Sequence, residues 1–126
     1  MPDPWGTHGP VPGHLLVRPG DASEDELVRA TRRGILVTRF HYVRTVDPAS
    51  GTITGMTRDG TARIENGEVV GPVRNLRFTE SLRTLLAGVE GIGRETRTYS
   101  GERGQISQTV PALSAREFRF TSATVF

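Results

Sequence analysis

Two dipeptides, Asp59-Gly60 and Asn66-Gly67, stand seven residues apart inside a stretch rich in β-branched residues that runs from Arg33 to Phe78. Each is the kind of two-residue connection that requires positive φ, which Gly adopts freely and Asn or Asp tolerates. Apolar, β-branched segments flank both. The stretch therefore reads as a β-meander, with strands expected at 35–46, 52–58, 61–65 and 68–74. Pro72 marks an edge position or a bulge, because it has no N–H to give to a ladder. Along 35–46, Ile35, Val37, Arg39, His41 and Val43 share one face, and Leu36, Thr38, Phe40, Tyr42, Arg44 and Val46 the other.

The flanking segments complete the outline. Residues 1–13, MPDPWGTHGPVPG, hold four Pro and three Gly and read as an extended arm. A single β-rich domain is expected over 14–126, beginning with a short strand at 14–18. Ser23 and Glu26 form a capping box for a helix over 23–33, with acids in its first turn, Arg32 and Arg33 in its last, and Gly34 at the C′ position. Leu82, Leu85, Leu86 and Val89 recur at helical spacing and predict a second helix over 79–89. Residues 91–105 are polar and glycine-rich and read as a long loop, with strands following at 110–113 and 117–125. The fold class is α+β, predominantly β: an antiparallel curled or barrel-like sheet with two short helices.

Composition narrows the chemistry. A chain of 126 residues has room for one modest core. All 16 basic residues are Arg, against 14 acids, for a net charge of +2. The Arg residues are scattered along the chain, so no nucleic-acid partner is expected. There is no Cys, which removes disulfides, thiol catalysis and thiolate metal ligands. Residues 1–15 lack the basic and apolar regions of a signal peptide. No apolar run reaches the roughly 18–20 residues of a membrane span. The expectation is a soluble cytoplasmic protein with no membrane contact.

The residues alone offer no catalytic constellation. No HExxH helix, GxSxG elbow or P-loop is present. Gly91-Ile92-Gly93 follows a predicted helix, the wrong context for a dinucleotide fingerprint. Arg39 and His41 lie side by side on one strand face and are candidates to hold an anionic or peptide group. Ser100 has no base near it in sequence to activate it as a nucleophile.

Four segments carry a family likeness: PGDASEDELVRATRRGILVTRFHYVRTVDP, TGMTRDGTARIENGEVVGPVRNLRF, LLAGVEGIGRE and VPALSAREFRFT. In order and spacing, the chain from about His14 to Phe120 resembles the C-terminal part of the TldD/PmbA (TldE) metallopeptidases. The resemblance implies a β-rich domain that, in longer family proteins, follows an α/β domain and dimerises around an internal cavity. The active subunit type carries an upstream HExxxH helix, giving two His ligands to zinc and a Glu to activate water, and a Cys in a C-terminal CGKxGQ-like loop. Here the helix is absent, and the loop stands as Ser100-Gly101-Glu102-Arg103-Gly104-Gln105.

Ser100 occupies the position of the Cys ligand, and a neutral hydroxyl is a far poorer zinc ligand than a thiolate. The resemblance thus implies no catalytic residue, no metal ligand and no cofactor on this chain, which alone would be inactive. Zinc would enter only in a complex with a catalytic partner. Arg39, His41, Ser100, Gly101, Gly104 and Gln105 are the candidates to line the cavity or a peptide substrate. The implied role is a non-catalytic subunit or C-terminal piece of a zinc peptidase, in a homodimer or a heterodimer with a TldD/PmbA-type chain that bears HExxxH. The alternative is a standalone peptide- or small-molecule-binding or structural module.

Overall fold

The computed structural model describes residues 12–100 and 106–123. It contains ten elements: β1 (His14–Leu16), α1 (Glu24–Arg29), β2 (Arg33–Asp47), β3 (Thr52–Glu65), β4 (Glu68–Val73), β5 (Leu76–Ser81), α2 (Leu82–Ala87), β6 (Val89–Ser100), β7 (Ser107–Ala115) and β8 (Phe120–Ala123). The α+β, predominantly β class holds. The barrel-like closure does not: the strands form two open sheets, β1-β7-β6 and β2-β3-β5-β8, with β4 paired to β3. All pairs are antiparallel except β1 with β7.

Asp59-Gly60 is not a hairpin turn. β3 runs unbroken from Thr52 to Glu65 along β2, and the register jumps from Arg39↔Arg58 to Val37↔Thr61. Asp59 and Gly60, at φ 61° and 111°, form a β-bulge opposite Thr38. The same positive-φ chemistry that closes a turn can instead add a residue to one strand of a continuing ladder. Asn66-Gly67 does turn the chain: Glu65 pairs with Glu68, and the two central residues have φ 50° and 80°, the mirror-image conformation that suits strand twist. Pro72 sits on β4, which pairs only with β3 among the described residues and slips register beside Arg63. That is the edge-and-bulge setting a proline requires.

Both helices are shorter than their sequence spans. Ser23 caps α1 by accepting from the Glu26 N–H at 3.1 Å, but the helix ends at Arg29, and Arg33 and Gly34 already belong to β2. Arg33 and Gly34 pair with Glu65 and Ile64 in the β2–β3 ladder, and the hairpin tip holds the intervening residues. The Asn66 N–H donates to the Arg32 carbonyl at 2.7 Å and the Gly67 N–H to the Thr31 carbonyl at 2.9 Å. A side chain at position 67 would come within 2.7 Å of the Arg29 carbonyl oxygen, so Gly67 serves both the turn and this close docking. α2 occupies only Leu82–Ala87 because Thr79–Ser81 remain in β5 against Thr52–Thr54.

The segment read as a loop over 91–105 is strand β6 as far as Ser100. Thr96, Thr98 and Tyr99 are good strand formers and pair with Pro111, Thr109 and Gln108. Strand β7 is longer than the 110–113 reading, and β8 begins at Phe120, three residues later than the 117–125 reading, whose last two residues lie outside the described ones.

The core is an aromatic cluster on one face of the larger sheet. Phe78 is 1% exposed, with Phe40 edge-on at 5.0 Å and Phe118 at 5.0 Å between ring centroids, and Phe120 lies 4.9 Å from Phe118. Gly55 makes room for the Phe78 ring, because a Cβ there would approach two of its carbons to 2.9 Å. The buried Glu80 carboxylate ties in the segment that carries Phe118. One oxygen accepts from the Ser81 N–H at 2.9 Å and the other from the Arg119 N–H at 2.8 Å. Beyond Phe78, only Met56 and Ile64 are buried large hydrophobics among the described residues.

Candidate functional site

The face of the larger sheet opposite the aromatic cluster is polar and cationic. On β3, Thr54, Met56 and Arg58 alternate onto this face. Cross-strand register sets Arg44 and Thr79 beside Thr54, His41 and Arg77 beside Met56, and Arg39 beside Arg58. Directly opposed residues of an antiparallel pair share a face, so four arginines and one histidine gather here.

Arg39 and His41 come together as expected. Arg39 Nη2 lies 3.4 Å from His41 Nδ1, and Arg39 Nη1 donates to Asp59 Oδ2 at 2.9 Å. Sequence reasoning treated Asp59 only as a turn residue; the bulge aims its carboxylate at Arg39. Both partners of this ion pair are about half exposed, at 52% and 51%, so its contribution to stability is small, on the order of 0–1 kcal/mol. Its effect is to fix the guanidinium beside the imidazole.

A second bulge, between His41 and Arg44, gives Tyr42 a φ of 52°, an outlying conformation for a bulky residue. Its ring lies 4.0 Å from that of His41 and is 62% exposed. Tyr42 thus leaves the aromatic cluster that Phe40, Phe118 and Phe120 join. It instead borders a cavity of about 440 Å³ with Arg44, Thr54, Gly55, Met56 and Arg77. Neither Arg44 nor Arg77 figured in the sequence-derived site. Their common face follows from alternation once the strand pairing and the bulges are known, and the pairing is not written in local sequence.

Ser100 lies apart from Arg39 and His41. It ends β6 in the smaller sheet, exposed and paired with Ser107. Next to it, His14 hydrogen-bonds Ser107 Oγ through Nδ1 and Thr109 Oγ1 through Nε2 at 3.2 Å, and Thr109 Oγ1 is 2.8 Å from Thr98 Oγ1. This ladder of hydroxyls on one face engages both nitrogens of the imidazole. Gly101, Gly104 and Gln105 lie outside the described residues. A larger cleft of about 990 Å³ runs between α1, the hairpin tip and the β6–β7 sheet. Its Glu90 and Arg116 neutralise each other at 3.3 Å.

Zinc does not fit the donors among the described residues. The His14 and His41 side chains belong to different sheets, Ser100 offers only a neutral hydroxyl, and no group of three or more His, Asp or Glu suited to a metal occurs among the described residues. Four-coordinate zinc needs several nitrogen, thiolate or carboxylate ligands converging on one point.

Residues 6–122 match the PmbA/TldA metallopeptidase C-terminal domain. The chain belongs to the TldD/PmbA metallopeptidase family. A protein from Methanothermobacter thermautotrophicus described as a metalloprotease is 32% identical over 98 residues, which is 78% of this chain and 21% of that protein. Among solved structures, TldE from Thermococcus kodakarensis shares the fold with a TM-score of 0.65 at 18% identity, over 85% of this chain and 22% of that one. A Thermotoga maritima protein described as a putative modulator of a DNA gyrase gives a TM-score of 0.63 at 20% identity, over 85% of this chain and 23% of that one. The chain therefore spans about a fifth of the length of these relatives.

Proposed function

We propose that this chain is a non-catalytic subunit, or C-terminal piece, of a TldD/PmbA-type zinc peptidase acting in the cytoplasm. It completes a dimer with a chain that bears HExxxH. The observation that carries this reading is membership of a metallopeptidase family, and the resemblance that sets Ser100 at the position of the family's Cys ligand supports the non-catalytic role. The chain supplies walls, and the partner supplies zinc, which polarises a peptide carbonyl and acidifies its bound water. Arg39 and His41 on the larger sheet, and Ser100 with the segment that follows it, are the candidate walls of the assembled cavity against which an extended peptide is held, with strand edges available for main-chain hydrogen bonds.

The thinness of the core supports assembly. Leu16, Val46 and Leu86 are 65%, 59% and 63% exposed and are available for burial against a partner. Co-expression with an HExxxH-bearing family member tests the proposal. The expected result is a complex that survives size exclusion and cleaves an unstructured peptide, with cleavage abolished by a chelator. Separate elution, with no peptidase gained, contradicts it.

A further inference from the structure

The cationic face holds more positive charge than the chain itself neutralises. Arg39 is held by Asp59, but Arg44, Arg58 and Arg77 form no ion pair or side-chain hydrogen bond among the described residues. Elsewhere, Arg63, Arg94, Arg97 and Arg116 each have an acidic neighbour within 4 Å. Unpaired guanidinium groups gathered on one sheet face repel one another, and directly opposed like charges destabilise a strand pair. An anion bound among them would relieve that repulsion.

We propose that Arg44 and Arg77 form a receptor for the carboxylates of an acidic peptide segment. The two residues stand on the strands either side of β3, Arg44 beside Thr54 and Arg77 beside Met56. Their backbones are thus offset by about two strand spacings across the sheet, ~10 Å, and about two residues along it, ~7 Å. Side chains as long as arginine's converge over that span, and both line the cavity of about 440 Å³. The guanidinium fork matches a carboxylate in two parallel N–H···O bonds. Tyr42 closes one side. Its positive φ is a backbone conformation that costs about 1–3 kcal/mol and persists where surrounding structure holds it. Met56, only 9% exposed, forms an apolar floor that keeps water from competing with the ion pairs.

Phosphate oxygens would suit the same forks, but a nucleic acid needs a long track of cations to displace its counterions. This face carries four arginines, one already paired, on a chain of net charge +2. A short acidic segment fits the extent of the patch. Arg58, one step further along β3, lies where a second acidic side chain of the same segment would reach. The inference needs neither zinc nor a catalytic partner, so it stands or falls separately from the peptidase reading.

The test is a titration of the full chain with a blocked tetraglutamate peptide, followed by NMR of the arginine side-chain N–H groups and by fluorescence anisotropy of a labelled peptide. Saturable binding that shifts Arg44 and Arg77 and weakens with salt is expected, and the tetraglutamine peptide should leave both signals unmoved. Arg44→Gln with Arg77→Gln should weaken binding about tenfold or more, the scale of losing charge-assisted hydrogen bonds. Arg44→Lys with Arg77→Lys should retain part of it, and Arg83→Gln on α2 should leave it unchanged. Equal binding of the glutamine peptide, or equal binding by the double glutamine variant, overturns the proposal. So does tighter binding of a single-stranded oligonucleotide or of inorganic phosphate than of the glutamate peptide.

Discussion

Asp47 shows how a single exposed side chain can set the local pH response. Its carboxylate accepts from Ser50 Oγ at 2.7 Å and from the Ala49 N–H at 3.1 Å, and these bonds, Ser50's first, hold its pKa below the ordinary carboxylate value. A carboxyl whose folded pKa is depressed adds stability that is present above its unfolded value, about 3.9. That stability is lost as pH falls through the lower folded value. An NMR titration should show Asp47 protonating below that unfolded value, and Asp47→Asn should remove this step while leaving the neutral-pH fold intact.

Gly55 and Glu80 make sharper demands. Gly55→Ala drives a methyl into the Phe78 ring and should cost about 1–3 kcal/mol, as overfilled cores do. Glu80→Ala removes the half-buried hydrogen bonds that the Ser81 and Arg119 amides donate, at about 0.5–1.5 kcal/mol for each hydrogen bond lost. Denaturant melts of the two variants measure both effects. Neither residue could be singled out in the sequence, since Gly in a strand and Glu near a helix start have many ordinary uses.

At the scale of elements, the legible features were those written locally. Ser23 capped the helix it was expected to cap, Asn66-Gly67 turned the chain, and Pro72 sat on an edge. What was illegible depended on partners distant in sequence. Asp59-Gly60 carries the same dipeptide chemistry as a turn, and only the continuing pairing of β2 with β3 makes it a bulge. Helix α1 stops early because Arg33 and Gly34 already pair with β3. β6 hid behind its glycines, although Thr96, Thr98 and Tyr99 carried a strand signal. The bulge also decides the site, since it brings Asp59 to Arg39. Asp59→Ala should free Arg39 without unfolding the sheet. The measured stability change should lie within about 1 kcal/mol, as for other exposed pairs, while the Arg39 side-chain N–H signals shift in an NMR spectrum.

The whole molecule is two open sheets with a thin core, and among the described residues only Phe78, Met56 and Ile64 of its large apolar side chains are buried. The family could be read from four segments, but the division of the candidate residues could not. Arg39 and His41 share one sheet, Ser100 ends a strand of the other, and the register that separates them is a property of the assembled chain. This arrangement suits a scaffold whose parts are joined by what binds between or against them. On the proposed function, the chain should melt at higher temperature in the presence of an HExxxH-bearing family member, by mass action on the folded state.

Zinc content is the most direct measurement of that account. Elemental analysis of the purified chain alone, and of the complex purified with an HExxxH-bearing chain, should find zinc in stoichiometric amount only in the complex, along with the peptidase activity. Stoichiometric zinc retained by the isolated chain through dialysis, with peptide cleavage to match, would contradict it.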